Sequence, residues 1–492
     1  MRLVLPILVP LITAIVLLLT PARPLLQRWV AFAGSLMLLI SAASLMFAVE
    51  RTGIEVVQIG GWPAPFGITL VADLLAAMLV LFVGIVGVAV TGSAFAGVDP
   101  RREAFGYHAL LQILFAGVSG AFLTGDLFNL YVWFEVMLVA SFVLMALHRT
   151  TAQIEAAFKY VTMNLLASSL FLTALGLLYG DTGTLNMADL AFIWPTRDSP
   201  ALDPVLAVLF LIAFGIKAAL FPLFFWLPAS YHTPPAPIAA AFAGLLTKVG
   251  VYALIRVFTL LFREAPPAIY TLLIVMSAST MVIGLVAALS QRDFRRILSF
   301  NLVGHIGYTT AGLSLLAPAA LAGSILYMLH HILVITNLYL VTGVMLRLRR
   351  TTDLASLGSL YRDYPAFALL AMIPMFSLAG VPPLSGFLGK LAIVQGTFAA
   401  GAYWVGGTVL VVGLLTLLSM SRTWAEAFWQ PASRSQARIV LARPMLASIA
   451  GLSLATIAMT VCAEPLFSFA LRAADQLLQP DAYINAVLGR GQ

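Results

Sequence analysis

The stretch 130-LYVWFEVMLVASF-142 is an apolar run with one charged residue, Glu135, near its middle. A soluble protein could hold such a glutamate against a partner, but a membrane protein could not leave it facing lipid without a large free-energy cost. Glu135 must therefore face the protein interior, water or a cationic partner. The stretch predicts a membrane helix with a functional carboxylate on its inner face.

The composition of the whole chain is that of an integral membrane protein. Its 492 residues are 61% hydrophobic and only 10% charged, whereas about a quarter of the residues in soluble domains are charged. The 37 glycines and 26 prolines agree with this class, because both residues are commoner in transmembrane helices than in soluble ones. The net charge of +7 is spread over short loops. It therefore sets membrane topology and does not indicate nucleic-acid binding.

Several kinds of cofactor site are excluded. The single cysteine, Cys462, rules out an intrachain disulfide, a four-cysteine iron–sulfur site and a cysteine zinc site. No glycine-rich phosphate loop follows a predicted strand, so no nucleotide site is predicted. We expect no cofactor or metal to be held by this chain.

Hydropathy over a window of about 19 residues predicts about 14 membrane spans. The predicted spans are 3–20, 27–48, 70–96, 106–124, 127–147, 153–178, 204–228, 236–261, 268–290, 294–315, 318–346, 366–397, 402–425 and 442–471. The first is read as a membrane helix and not as a signal peptide, because its PARP flank is a poor cleavage site. The longest loops, 49–69 and 179–203, are too small to be domains. Residues 1–492 are therefore predicted to form one all-α integral membrane domain.

Two further predictions concern the loops. The segment 55-EVVQIGGWPAPFGITLV-71 predicts a small hairpin with a Gly-Gly turn. Arginines such as Arg295, Arg296, Arg349 and Arg350 fall in the odd-numbered loops, while the even-numbered loops are mostly acidic. The positive-inside rule then places the odd-numbered loops in the cytoplasm of a bacterial inner membrane and both termini on the outer side.

Lysine is used in a selective way. Only four of the 27 basic residues are lysines, and three of them, Lys217, Lys248 and Lys390, lie inside apolar spans. Arginine effectively cannot lose its proton, whereas a desolvated lysine can. A site that alternately holds and releases a proton therefore favours lysine. The fourth, Lys159, lies near the start of its span beside Glu155, where it can either snorkel to the interface or take part in function.

Helix breakers accompany two of the deep lysines. Lys217 is followed by Pro222 and Pro228, and Lys390 is preceded by the segment 377-SLAGVPPLSGFLG-389. Such breaks free backbone carbonyls for water or ions, and paired discontinuous helices point to an inverted repeat. The prediction is a fold with two inverted five-helix repeats, helices 4–8 (106–261) and helices 9–13 (268–425), with helices 7 and 12 discontinuous, although the two halves show no convincing residue-by-residue identity. The alternative is a pair of ordinary proline kinks.

Histidines and tyrosines form a second polar set. His305 and Tyr308 are three residues apart and share a helix face. Tyr327 precedes the adjacent pair His330 and His331 by one turn. Side chains of adjacent helical residues point about 100° apart, so we expect only one of these two histidines to face a proton path. Alternatively, a buried histidine can have a purely structural role, making a hydrogen bond without carrying protons.

The stretch 221-FPLFFWLPASYHTPPAPIAAAFAGLLTKVGVYALIRV-257 resembles the signature of the antiporter-like subunits of respiratory complex I and of Mrp-type multisubunit cation/proton antiporters. The resemblance covers nearly the whole chain. Three further stretches, GGWPAPFGITLVAD, TGDLFNLYVWFEVMLVASF and LLYGDTGTLNMADLA, are most similar to the D-type subunits of Mrp antiporters. One departure concerns the segment WLPASYH, which places His232 one position later than in complex I relatives and leaves its role open.

The resemblance implies roles for the polar residues. Glu135 and Lys217 would form the ion pair whose making and breaking gates proton movement. Lys248 would be the central lysine and Lys390 the terminal site. The bridging histidines on helices 10 and 11 would be His305 and one of His330 and His331. It also implies a hetero-oligomeric complex that exchanges protons for Na⁺ or K⁺.

Two other functions remain compatible with the sequence. The chain could be a proton-pumping subunit of a redox-driven complex such as complex I or a membrane-bound hydrogenase. It could also be a scaffold subunit that transports nothing. The retained intramembrane charges oppose the scaffold, because each is costly if it has no function.

Overall fold

The computed structural model of the chain describes residues 1–20, 23–98, 103, 105–147, 150–197, 200–432 and 439–489. These residues are mostly helical. The main helices, labelled in chain order, are α1 (Leu5–Leu19), α2 (Pro24–Thr52), α3 (Leu74–Gly97), α4 (Tyr107–Leu123), α5 (Leu127–Ala146), α6 (Thr151–Thr182), α7a (Asp203–Ala218), α7b (Trp226–Ser230), α8 (Ala236–Leu260), α9 (Pro267–Leu289), α10 (Phe294–Ala311), α11 (Pro318–Arg349), α12a (Pro365–Ala379), α12b (Ser385–Ala399), α13 (Tyr403–Trp429), α14 (Arg443–Val461), α15 (Ala463–Leu478) and α16 (Asp481–Leu488).

The multi-pass membrane architecture is confirmed. Among the described residues, nine helices are long and apolar enough to cross a membrane. The other predicted spans correspond to α1, α4 and α10, which are shorter or less apolar, and to α7 and α12, which are each split in two. The helix count is therefore consistent with the sequence prediction.

The predicted hairpin is present, although its connection is longer than a Gly-Gly turn. Strands β1 (Glu55–Gln58) and β2 (Thr69–Ala72) pair antiparallel, with Glu55 opposite Ala72. Gly60 and Gly61 both have positive φ, 70° and 74°, which glycine adopts at little cost. They form only the beginning of the connection, because the strands do not pair again until Thr69.

The last predicted span, 442–471, is wrong at its end. Helix α14 stops at Val461, and α15 begins after Cys462. Pro465 explains the stop, because it has no N–H to donate to Val461 and is tolerated only in the first turn of a new helix. Helix α15 then packs against α3, α8 and α11.

The interior of the bundle is formed by α8 and α11. In each of these helices, 94% of the most apolar 18-residue segment is buried inside the protein, compared with 39% in α6 and in α13. Polar side chains on α8 and α11 are therefore surrounded by protein and not by lipid. Both discontinuous helices contact this interior, since α7a packs against α8 and α12b packs against α11.

Candidate site: a buried line of lysines and histidines

Lys217 lies in the last turn of α7a, at the break of that helix. Ala219 ends α7a in the left-handed conformation with φ of 64°, and its successor Leu220 donates its N–H to the Gly215 carbonyl at 2.9 Å. The indole Nε1 of Trp226, in α7b, donates to the Ile216 carbonyl at 2.9 Å. The break is thus a defined structure whose freed backbone groups have partners, as expected for backbone at membrane depth.

Lys217 is buried beside helices α5 and α6. Its Nζ donates to Ser168 Oγ at 3.3 Å and lies 5.2 Å from the ring centroid of Phe134. A small cavity of about 20 Å³ borders it, lined also by Tyr160 and Asn164. A cavity of that size can hold about one water. Lys217 is therefore placed next to hydroxyl and amide groups that can relay a proton.

Glu135 is half-buried on α5, and its environment differs from the predicted ion pair. The charge of Glu135 acts on Lys217, but no ion pair joins the two residues in the part of the chain that the structure describes. Glu135 Oε1 is buried and has no hydrogen-bond partner there. The two side chains are therefore not in ion-pair contact in this structure.

Lys248 follows an irregular turn of α8. Residues Phe242–Leu246 form a π-helical turn, a feature frequent at functional sites. Lys248 Nζ donates to the Ala243 carbonyl of that turn at 2.6 Å and is 1% exposed. The Lys248 ammonium is therefore held by a neutral acceptor and not by a carboxylate.

Gly250 sets how closely α8 approaches the break in α7. A Cβ at this position would lie 2.5 Å from the Ala218 nitrogen and 2.8 Å from the Lys217 carbonyl carbon. Both atoms are backbone and cannot move aside. Glycine thus brings the backbone of Lys217 next to the turn that carries Lys248.

A cluster of five aromatic side chains continues the line beyond Lys248. His305 and Tyr308 come from α10, and Tyr327, His330 and His331 come from α11; all are 0% exposed. His305 Nδ1 is hydrogen-bonded to Tyr327 Oη. The His305 ring stacks on His331 with centroids 5.2 Å apart, and Tyr327 lies 5.3 Å from His330. We expected only one of His330 and His331 to face the path, whereas both belong to this cluster.

Lys390 ends the line at the break in α12. Its Nζ donates to the Leu378 and Ala379 carbonyls, at 3.1 and 2.9 Å, which are the carbonyls freed where α12a stops. It also lies 5.5 Å from the ring centroid of Tyr308. Lys390 is on α12b, after the break, and its side chain extends back to the end of α12a. Lys217, in contrast, is on α7a, before the break in α7.

A serine pair connects the histidines to the same break. His330 Nδ1 is hydrogen-bonded to Ser385 Oγ at 2.9 Å, and Ser385 Oγ lies 3.1 Å from Ser377 Oγ. Nothing in the sequence analysis singled out these serines. Their positions on either side of the Gly380–Pro383 break could have suggested them, because a helix break needs polar groups around it.

Several buried nitrogens along the line have no protein partner. In the described residues these include His305 Nε2, His330 Nε2 and both ring nitrogens of His331. Buried polar atoms are nearly always hydrogen-bonded to protein or to ordered water. Each of these nitrogens can therefore hydrogen-bond to ordered water.

Other charged residues lie outside this line. Lys159 is exposed and pairs with Glu155 Oε1 at 2.5 Å, as expected for a snorkelling lysine. His232 Nδ1 is hydrogen-bonded to the Pro228 carbonyl at 2.9 Å. A buried ion pair between Arg256 of α8 and Asp73, at 2.5 Å, was not predicted from the sequence. The signal was available, because Arg256 falls inside the predicted span 236–261.

Removing the Tyr327 hydroxyl tests the hydrogen-bonded link in the histidine cluster. Under the proton-transport role that the family resemblance implies, Tyr327→Phe should lower transport about tenfold or more, because His305 loses its hydrogen-bond partner. Tyr339→Phe is the matched control, since Tyr339 is on the same helix and its hydroxyl bonds Ser299 Oγ at 2.9 Å. Each variant loses one buried hydrogen bond, about 1 kcal/mol. Equal transport by the two assembled variants would remove Tyr327 from the path.

Comparison with known proteins identifies the family. Residues 124–416 match the family model described as the transmembrane family of NADH:quinone oxidoreductase and Mrp antiporters. The chain is 44% identical over 487 residues to the D-type subunit of a Na⁺/H⁺ antiporter from Alkalihalophilus pseudofirmus, covering 99% of each chain. It is 39% identical over 486 residues to the protein of the same name from Bacillus subtilis, again covering 99% of each.

Solved structures agree with the family match. A chain of the Mrp complex from a Dietzia species superposes with a TM-score of 0.91 at 30% identity, covering 99% of both chains. A chain of an archaeal membrane-bound sulfane sulfur reductase gives the same score at 27% identity. A chain of Thermus thermophilus respiratory complex I gives 0.85 at 23% identity, which shows the fold alone. This chain therefore belongs to the NADH:quinone oxidoreductase/Mrp antiporter family, in the group of the D-type antiporter subunits.

Proposed function

We propose that this chain is the proton-carrying subunit of a multisubunit cation/proton antiporter. The residues that carry the proton are Glu135, Lys217, Lys248, His305, His330, His331 and Lys390. The strongest support for this proposal comes from the hydrogen-bond acceptors of the lysine ammonium groups. Lys248 and Lys390 donate to backbone carbonyls and not to carboxylates. A lysine held by neutral acceptors can lose its proton without leaving an uncompensated buried anion.

The proton moves in coupling with export of Na⁺ or K⁺ by the assembled complex. The D-type relatives are named for Na⁺/H⁺ antiport, and the Dietzia structure is of an Mrp complex. We infer the same class of partners for this chain. It acts as one component of a secondary transporter and not as an enzyme.

We infer a bacterial inner membrane with both termini on the outer side. In this orientation, the polar groups near the two helix breaks lie between a cytoplasmic side rich in arginine and an outer side rich in acidic residues. The two five-helix units, 106–261 and 268–425, remain a prediction. They gain support from the two breaks, since α7a ends at Ala219 with φ of 64° and α12a ends at Gly380 with φ of 85°.

The test uses the intact complex, purified and reconstituted in vesicles with an imposed pH gradient. Addition of Na⁺ or K⁺ should dissipate the gradient, and Lys248→Met should abolish this while the complex still assembles. A Lys248→Met complex with full activity would favour the scaffold function.

A redox-driven pump is the second candidate. The high structural similarity to a chain of the sulfane sulfur reductase complex favours it. Identification of the subunits that copurify distinguishes the two functions. Iron–sulfur subunits in the complex would replace the antiporter proposal.

The close approach at Gly250 gives a further prediction. Gly250→Ala should reduce antiport severely, because the added Cβ pushes α8 away from the break that carries Lys217. Gly176→Ala in α6 is the control, since a Cβ there meets nothing within 4 Å. Transport is measured per assembled complex. Normal transport by Gly250→Ala would show that this spacing is not critical.

A further inference from the structure

A polar cavity of about 320 Å³ lies at the arginine-rich ends of the helices. It is lined by the end of α3, the start of α8, the end of α11 and the start of α14, and it is separate from the line of lysines. Two arginines, Arg295 and Arg347, line it, and no carboxylate is among the lining residues that the structure describes. Asp293 acts on Arg295 electrostatically but does not line the cavity.

Two residues that line this cavity each have a buried polar atom with no hydrogen-bond partner among the described residues. Arg295 is 7% exposed; one of its terminal nitrogens donates to the Pro234 carbonyl, but its Nε is unpaired in the described residues. Gln153 is 5% exposed; its Nε2 donates to the Thr233 carbonyl at 3.2 Å, but its Oε1 is unpaired. The cavity therefore offers a cationic donor and a neutral acceptor at the same time.

An apolar groove of about 490 Å³ begins beside the cavity, between α2, α3 and α14. Neighbouring residues of two helices line the two spaces: Phe95 and Pro444 the groove, Ala96 and Met445 the cavity. The groove opens to the membrane side, where Trp29 is 57% exposed. Tryptophan is enriched at the level of lipid headgroups, so the groove extends from the interface into the hydrocarbon region.

We infer that this cavity and groove together bind one anionic phospholipid of the phosphatidylglycerol type. The phosphate accepts hydrogen bonds from the guanidinium groups of Arg295 and Arg347, and a headgroup hydroxyl donates to Gln153 Oε1. An acyl chain fills the groove. Arginine suits phosphate because its planar donors match the phosphate oxygens. The two lining arginines, with no carboxylate among the described lining residues, favour a headgroup with net negative charge.

Two variants test the headgroup and the acyl chain separately. Arg347→Gln removes an exposed arginine whose Nη1 donates to the Ala96 carbonyl at 2.9 Å. Gly451→Leu places a side chain in the groove at a position where a Cβ meets nothing within 4 Å. The matched controls are Arg362→Gln, at a side chain 85% exposed, and Gly407→Leu in α13, where a Cβ also meets nothing.

The intact complex is purified in a mild detergent, and the phospholipids that copurify are counted by mass spectrometry. Each of the two test variants should retain about one phosphatidylglycerol fewer per complex than the wild type, and the controls should retain the wild-type number. Equal lipid counts in all five complexes would overturn the proposal and leave a solvent-filled cavity.

Adding phospholipid or inorganic phosphate back to the delipidated complex distinguishes a lipid headgroup from a free phosphate as the bound anion. Dioleoylphosphatidylglycerol should raise the Tm of the delipidated wild-type and control complexes, whereas it should leave the two test variants unchanged. Dioleoylphosphatidylcholine and inorganic phosphate should have no effect. Stabilisation by inorganic phosphate that Gly451→Leu does not alter would replace the lipid with a soluble anion.

Discussion

Lys390→Arg should abolish antiport although it preserves the positive charge. Arginine stays protonated at any accessible pH, so the terminal site would hold its charge permanently. The site is also shaped for lysine, since a Cβ at Gly380 would lie 3.0 Å from Lys390 Cδ. We expect activity at least about a hundredfold below wild type, measured as Na⁺-dependent dissipation of a pH gradient and normalised to assembled complex.

Two further variants distinguish the positive charge of Lys390 from its capacity to bind and release a proton. Lys390→Met should be as inactive as Lys390→Arg, because it can carry no proton. Lys390→Glu should retain partial activity, because a buried carboxyl group can also bind and release a proton. If Lys390→Arg transports normally, Lys390 supplies only fixed charge and the exit of the proton must lie elsewhere.

Glu135→Gln should have an effect of similar size. It keeps the volume of the side chain and removes the carboxylate whose charge acts on Lys217. The complex should assemble, since Glu135 makes no direct ion pair with Lys217 whose loss would destabilise the fold. Na⁺-dependent dissipation of the pH gradient should be lost.

Glu155→Gln is the matched control for Glu135→Gln. Glu155 is on the adjacent helix, its side chain is 63% exposed, and its partner Lys159 is exposed as well. Exposed pairs contribute little stability, about 0–1 kcal/mol. Antiport that survives Glu135→Gln would exclude the electrostatic gate and leave the lysines and histidines as the path.

The sequence predicted the membrane class, the two breaks and the interior lysines, because each depends on local chemistry. Only a few structural environments can accommodate a lysine or a proline within an apolar membrane span. The end of the last span was predicted wrongly because hydropathy continues past Val461, whereas Pro465 stops the helix. The roles of Glu135, Lys217, Lys248 and Lys390 stay predictions.

Packing details could not be read from the sequence. The position of both His330 and His331 in one cluster depends on α10 and α12b, which both contact α11. The Ser377–Ser385 contact depends on how the two halves of α12 meet. Whether Glu135 and Lys217 are in ion-pair contact depends on side-chain conformations that no spacing rule determines.

The carbonyl ligation of Lys248 and Lys390 limits how many protons the line can store at one time. Neutral oxygens do not cancel an ammonium charge, and Glu135 is the one carboxylate assigned to this path. Two unit charges about 10 Å apart repel by roughly 1.7 kcal/mol at an effective dielectric constant of about 20. Under the proposed proton path, each proton that enters would therefore favour the departure of another, and the path would work by displacement at partial occupancy and not by filling and emptying.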